Sequence, residues 1–141
     1  MNFKTVLLSL IIITPVFADL GEATKTAEIG MFKDAKSKVI EVIESAKSGD
    51  AKAQLKYGMM LTKGIFLKKD PVAAIGWWKK SAEQDNIKAQ LLLGTVYLAG
   101  QRVDKDLVKS DRWFNKAIGS SPNMEKAVNI MKSRIAEMEK H

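Results

Sequence analysis

The sequence predicts an all-α protein, an α/α solenoid of helical hairpins that ends in a C-terminal capping helix. Two observations predict this fold. The chain matches itself at an offset of 36 residues, and both copies carry helix-start and helix-stop residues at the same places. A period of this length is typical of solenoids in which each unit contributes a pair of helices.

The internal match covers residues 52–82 and 88–118 without a gap, and eleven of the thirty-one aligned positions are identical. Chance at ordinary composition gives about two identities. The aromatic pair Trp77-Trp78 aligns with Trp113-Phe114, so an aromatic pair recurs once per repeat. We therefore place repeat one at residues 50–85 and repeat two at residues 86–121.

The first 18 residues have the pattern of a secretory signal peptide. Lys4 precedes an apolar run over residues 6–13, and Val16 and Ala18 occupy the −3 and −1 positions of a cleavage site. The run is shorter than the ~20 residues that a membrane-spanning helix needs. We expect a periplasmic or secreted protein with no stable membrane insertion after cleavage; an uncleaved anchor is the alternative.

The segments on either side of the repeats differ in pattern. Residues 19–30 lack an apolar stripe and predict a flexible leader. Residues 31–49 show apolar residues at helical spacing, and Ala46 aligns with Ala82, which predicts the second helix of a half repeat. Residues 122–140 pair an apolar stripe with a charged face, as a capping helix requires. The predicted solenoid is residues 31–141.

Polar N-cap residues and glycines mark the same helix ends in both repeats. They are Asp50, Gly64 and Asp70 in repeat one, and Asn86, Gly100 and Asp106 in repeat two. Gly58 and Gly94 instead lie in mid-helix, where glycine costs ~1 kcal/mol relative to alanine. We expect these two glycines to allow two helices to approach closely.

The motif residues of repeat two identify a resemblance. They are Ala89-Gln90, Leu93-Gly94, Tyr97, Gly100-Gln101, Val103, Asp106, Trp113-Phe114 and Lys116-Ala117. Together they resemble the Sel1-like repeats, a branch of the tetratricopeptide-like α/α solenoids, over roughly residues 46–118. The chain departs from that pattern at Phe66 and Arg102, where the family usually has a second loop glycine. Either the turn differs there or a non-glycine residue takes an uncommon backbone angle.

The resemblance places Trp77, Trp78, Trp113 and Phe114 at inter-helix packing positions. On that interpretation, Trp77→Ala costs ~3–5 kcal/mol of stability. The alternative is a platform on which sugars or bases stack.

The resemblance also implies that the first helix of each pair lines a concave binding face. The predicted partner-binding residues on it are Lys52, Lys56, Met59, Lys63, Leu91, Thr95 and Leu98, with Leu55 and Lys88 beside them. Lysines mixed with apolar side chains suit a protein or peptide that carries acidic residues. The alternative is that the leucines belong to the core.

The inter-helix loop of repeat one supplies further candidates. It has Ile65 and Phe66 where repeat two has Gln101 and Arg102. Exposed aromatic residues are frequent interface hot spots, so we add Ile65, Phe66 and Arg102 to the predicted partner-binding set. Packing of Ile65 and Phe66 beneath the N-terminal segment is the alternative.

Composition argues against several classes of function. The chain has no cysteine, so thiol catalysis and cysteine metal sites are excluded. Its one histidine, His141, is the last residue, so no internal histidine can act as a base or a metal ligand. The carboxylate pairs Glu41/Glu44 and Glu137/Glu139 lie on helical faces with no evident pocket. We predict no catalytic, cofactor-binding or metal-binding residues. The net charge is +7, but the lysines are scattered without interleaved aromatics, so we predict no nucleic-acid partner.

These observations predict an exported protein–protein interaction module of the bacterial envelope, with one partner. An adaptor and an immunity-type inhibitor of a toxin are the two forms that the resemblance implies. The alternatives are a secreted factor that binds host proteins and a weak peptidoglycan-directed enzyme.

Overall fold

The computed structural model describes residues 29–64, 66–100 and 102–140. These residues form six helices, with α1 at residues 29–47. The others are α2 (Ala51–Lys63), α3 (Pro71–Glu83), α4 (Ile87–Ala99), α5 (Leu107–Ser120) and α6 (Met124–Met138). The all-helical prediction is confirmed. The predicted signal peptide lies outside the described residues, and so does the predicted leader up to residue 28.

The chain divides into two compact units, and the division falls within α1, after Val39. In residues 29–39 the apolar side chains of Ile29, Met31 and Phe32 are largely exposed. Residues 29 and 30, which the sequence assigned to the leader, are already helical. Every feature described below belongs to the second unit, which begins at Ile40.

Helices α2 and α3 form one hairpin, and α4 and α5 form the other. The predicted N-cap side chains do cap these helices. The carboxylates of Asp70 and Asp106 accept hydrogen bonds from backbone N–H groups three residues later, at 2.8 and 2.9 Å. Asp50 and Asn86 accept equivalent bonds at the starts of α2 and α4. Each cap satisfies a backbone donor that the first helical turn leaves without a partner.

The loops inside the two hairpins share a left-handed glycine at the start and a backbone hydrogen bond at the end. Gly64 and Gly100 end the first helices with φ of 72° and 64°, a left-handed conformation that glycine adopts without strain. Beyond each glycine, the backbone N–H of the next N-cap donates to the first helix at 2.9 Å, Asp70 to Leu61 and Asp106 to Tyr97. Phe66 has φ of 57° within this loop. A non-glycine residue therefore takes the uncommon backbone angle at this departure from the family pattern.

The mid-helix glycines lie where the helices of each hairpin cross. A Cβ atom on Gly94 would come within 2.6 Å of the Phe114 ring, and one on Gly58 would come within 2.9 Å of the Ala74 carbonyl oxygen and closer still to the Trp78 ring. Real Cβ atoms essentially never come this close to another heavy atom. The prediction that these glycines allow close helix approach is confirmed.

The core lies between the layers of first and second helices and runs through both hairpins. Apart from Leu93, its fully buried members are small or aromatic. They include Ala74, Trp78, Ala82, Ala89, Leu93, Phe114 and Ala117. The small side chains let the helices approach, and the aromatic rings fill the space between them.

Two buried glutamines hydrogen-bond each hairpin to the preceding helix. Gln54 donates to the Ala46 carbonyl of α1 at 3.3 Å, and Gln90 donates to the Ala82 carbonyl of α3 at 3.1 Å. The Oε1 atom of Gln54 accepts a bond from Gln84 at 2.8 Å. The Oε1 atom of Gln90 is buried without a hydrogen-bond partner in the described structure. Ser120 occupies the position equivalent to Gln84, and its side chain is too short to supply the same bond.

We therefore expect Ser120→Gln to raise the free energy of unfolding by about 0.5–1 kcal/mol, because it supplies a donor to the buried Gln90 oxygen. Gln84→Ser is the reciprocal change and should lower it by about 1 kcal/mol. Denaturant unfolding of both variants against the wild type measures the two differences. A destabilised Ser120→Gln protein would show that the second site cannot accommodate the longer side chain.

Helix α6 packs against α4 and α5 through one face. Val128 is buried on that face, Met131 and Ile135 are half-buried, and Met138 at the end is 68% exposed. Lys105, in the loop before α5, forms an ion pair with Glu139 at 2.7 Å. The opposite face of α6 is exposed and largely polar, and Ile130 is its apolar member, 45% exposed.

Candidate partner-binding groove

A groove lies beside α2 and the start of α4. Its lining includes Lys52, Leu55, Lys56 and Met59 from α2, Ile87 and Lys88 from α4, and residues 84–86 of the connecting turn. The groove has a volume of about 710 Å³. We call it the α2–α4 groove.

Helix periodicity explains which side chains reach this groove. Ala53, Gln54, Gly58 and Leu61 are the buried positions of α2. Lys52, Lys56 and Met59 follow the other face at spacings of four and three residues, so they face solvent together. The chain then reverses at Asp85, whose φ of 59° is a left-handed angle that aspartate tolerates better than most residues. This turn brings the start of α4 alongside α2.

The groove combines an apolar floor with a positive rim. Leu55, Ile87 and the 42% exposed Met59 supply the apolar surface. Three lysines line it, at positions 52, 56 and 88, against one carboxylate, that of Asp85. None of the three lysines forms an ion pair within the described residues. The arrangement suits an anionic partner that also carries apolar side chains.

The predicted residues of repeat two are placed differently. Leu91, Thr95 and Leu98 are half-buried rather than exposed. The Thr95 hydroxyl donates to the Leu91 carbonyl at 2.9 Å and lies 3.8 Å from the sulfur of Met131 in α6. The capping helix thus contacts the face of α4 that the sequence assigned to a partner.

Among the described residues, Lys63, Phe66 and Arg102 lie apart from the groove lining. Lys63 ends α2 with an exposed side chain, and Arg102 is exposed in the second loop. Phe66 is 45% exposed. Ile65 lies outside the described residues. Of the predicted binding residues, the structure thus gathers Lys52, Lys56 and Met59 in one groove, with Leu55 and Lys88.

The two aromatic residues of each pair have different surroundings. Trp78 and Phe114 are buried against Gly58 and Gly94. Trp77 is only half-buried: its ring lies 4.9 Å from that of Tyr57, and the Lys80 ammonium lies 4.4 Å from the ring centroid. Trp113 is 9% exposed and has Lys116 at 5.3 Å in the equivalent position. The second member of each pair is therefore the main inter-helix packing residue.

Sequence reasoning missed the contribution of the α3–α4 turn to the groove. Gln84 and Asp85 precede the N-cap Asn86, and their approach to α2 depends on the tertiary packing of the two hairpins. The one available signal was the short connection between Glu83 and Ile87, which forces α4 to begin next to the end of α3.

The described ranges contain no group of three or more acidic or histidine residues placed to hold a metal ion. No helix in the same residues is long and apolar enough to cross a bilayer.

The two repeats match a known protein family. A profile described as the Sel1 repeat matches residues 51–86 and 87–122. The chain belongs to the Sel1 repeat family. Members of this family are helical repeat scaffolds, related to tetratricopeptide repeats, that typically mediate protein interactions and are generally non-catalytic. The matched segments begin at the first residues of α2 and α4, so one family repeat corresponds to one hairpin and the turn after it.

Solved structures resemble this Sel1 repeat protein. One is a protective antigen present in uropathogenic Escherichia coli strains that displays an SLR fold, with 31% identity and a TM-score of 0.60. The match covers 66% of this chain and 20% of that one. Another is a Sel1 repeat protein from Oxalobacter formigenes, with 28% identity, a TM-score of 0.55, and coverage of 59% of this chain and 63% of that one. This chain thus spans less than two thirds of either protein. No curated protein matches it.

Proposed function

We propose that this Sel1 repeat protein is an exported interaction module of the bacterial envelope, which binds one acidic protein or peptide in the α2–α4 groove. The observation that carries the proposal is the groove itself, in which Lys52, Lys56 and Lys88 surround an apolar floor. The family's typical role as an interaction scaffold supports the same class of function.

The two components of the groove have separate tasks in this proposal. The lysines attract an acidic partner and fix its orientation, because charge complementarity acts mainly on association rate and specificity. Leu55, Met59 and Ile87 supply the apolar contact area that slows dissociation. A peptide or helix with alternating acidic and apolar residues would satisfy both.

The loop residues have a secondary role in the proposal. Lys63, Phe66 and Arg102 are exposed at the loop end of the hairpins. Together with Ile65, they extend the contact beyond the groove when the partner is larger than a peptide. Leu91, Thr95 and Leu98 contribute less, because α6 and the core cover part of each side chain.

Export rests on the signal-peptide pattern of residues 1–18. In the periplasm, the partner is either an envelope protein for which this chain is an adaptor or a toxin that it blocks as an immunity protein. A neighbouring gene that encodes a lipase or a cell-wall-degrading toxin would distinguish the second role from the first.

The groove is tested by charge reversal. Lys52→Glu/Lys56→Glu should weaken binding of a partner captured from an envelope extract by about tenfold or more, because two attractive contacts become repulsive. The matched control is Lys126→Glu/Lys140→Glu, which makes the same change of net charge on exposed positions near the chain end. Calorimetric titration with the purified partner measures both variants. Equal weakening by the two variants, or no weakening by the first, would contradict the groove assignment.

A secreted factor that binds host proteins is the second candidate. The similar protein described as a protective antigen favours it, because an antigen that protects is accessible to the immune system. Fractionation decides between the two: the mature chain should remain in the periplasm for an envelope module and appear in the medium for a secreted factor.

A further inference from the structure

A second, smaller cleft lies away from the α2–α4 groove, between α3 and α5. Tyr97 and Trp113 line it, and four cationic side chains surround them, Lys79, Lys109, Arg112 and Lys116. The cleft has a volume of about 230 Å³. We call it the α3–α5 cleft.

The cationic groups gather over the aromatic rings. The ammonium groups of Lys79 and Lys109 lie 5.9 and 5.5 Å from the centroid of the same Tyr97 ring, and that of Lys116 lies 5.3 Å from the Trp113 ring. Cation–aromatic contacts at these distances stabilise each ammonium group next to its ring. They do not remove the repulsion between like charges that share one small cleft.

Few negative charges offset this cluster. Lys109 forms an ion pair with Asp106 at 2.8 Å, and this contact lowers the pKa of the Asp106 carboxyl below its ordinary value. Glu83 also lines the cleft. Lys79, Arg112 and Lys116 form no ion pair within the described residues. The cleft therefore retains an excess of positive charge.

Comparison of the cleft residues with those 36 positions earlier shows which contacts are common to both repeats and which occur only in the cleft. Trp113 and Lys116 align with Trp77 and Lys80, which make the same stacked contact in repeat one, so the fold itself accounts for this pair. The other cationic positions of the cleft have no charged counterpart 36 residues earlier. Lys79, Lys109 and Arg112 align with Ile43, Ala73 and Gly76. Helix packing does not require the added cations, since the equivalent site is built without them.

We infer that the α3–α5 cleft binds a phosphate group, as a phosphate ester or as the headgroup of an anionic phospholipid. Arg112 offers a planar guanidinium that pairs with two phosphate oxygens, and Lys79 and Lys116 supply compact charges around it. A volume of about 230 Å³ suits one small headgroup rather than an extended chain. The proposal does not depend on the function proposed for the α2–α4 groove.

The test uses Lys79→Gln/Arg112→Gln, which removes two of the added cations from exposed positions. The matched control, Lys126→Gln/Arg134→Gln, lowers the net charge equally on exposed positions of α6. Glycerol 1-phosphate and vesicles of phosphatidylglycerol are the two probes, and phosphatidylcholine vesicles are the neutral reference. The indole N–H resonance of Trp113 reports occupancy of the cleft, and thermal melting confirms that both variants fold.

We expect the wild type and the control variant to bind a phosphate probe. The cleft variant should bind it at least about tenfold more weakly, since charge-assisted hydrogen bonds contribute strongly to affinity. Binding of glycerol 1-phosphate identifies a soluble ester as the source, and binding of phosphatidylglycerol vesicles alone identifies a lipid headgroup. Two results would overturn the proposal: no binding of either probe, or equal weakening in the two double variants.

Discussion

Trp78→Ala should lower the free energy of unfolding by about 3–5 kcal/mol, whereas Trp77→Ala should lower it by only about 1–2 kcal/mol. Trp78 is 2% exposed and fills the crossing of α2 and α3, and its truncation leaves a cavity beside Gly58. Its buried indole N–H has no acceptor in the described residues, so the loss is one of packing rather than of a hydrogen bond. Trp77 is half-buried and loses only part of its contact area.

Denaturant unfolding of the two single variants measures this difference directly, because both changes truncate the same side chain at neighbouring positions. It also revises the expectation formed from the sequence, which assigned a loss of ~3–5 kcal/mol to Trp77→Ala. If the two variants lost equal stability, the packing assigned to the second aromatic residue of each pair would be wrong.

Gly94→Ala is expected to be the next most damaging single change, with a loss of about 2–3 kcal/mol. The new methyl group would lie 2.6 Å from the Phe114 ring, whose side chain is fully buried. The gain of about 1 kcal/mol in helix propensity does not offset this overlap.

Gly76 provides the matched control, because it also lies inside a helix but a Cβ there meets nothing within 4 Å. Gly76→Ala should raise the free energy of unfolding by about 0.5–1 kcal/mol, through helix propensity and a less flexible unfolded chain. If α4 and α5 cross closely, thermal and denaturant unfolding should show that the two variants change the free energy of unfolding in opposite directions. Two changes of the same sign would contradict it.

Features that depend on local chemistry could be predicted from the sequence alone. Asp70, Asp106, Gly64 and Gly100 mark helix ends because a cap or a left-handed angle is satisfied within a few residues. The offset of 36 residues then fixed which elements are equivalent.

Features that depend on tertiary packing were less predictable. Thr95 follows the pattern of an exposed helix position, but α6 folds back against it from 36 residues later in the chain. Asp85 reaches the α2–α4 groove only because the two hairpins stack. Lys79 and Arg112 have no distinguishing pattern along the chain, and they line one cleft because α3 and α5 both pack against α4, which carries Tyr97.

The glutamine bonds between hairpins have a consequence for how such chains grow. Gln54 and Gln90 each bind a carbonyl oxygen at the end of the helix before them, so every unit carries its own attachment to its predecessor. A third copy of residues 51–86, spliced in after Asn86, would bring a matching donor and find a matching acceptor. Lengthening the array by gene duplication therefore preserves this hydrogen bond at the new junction.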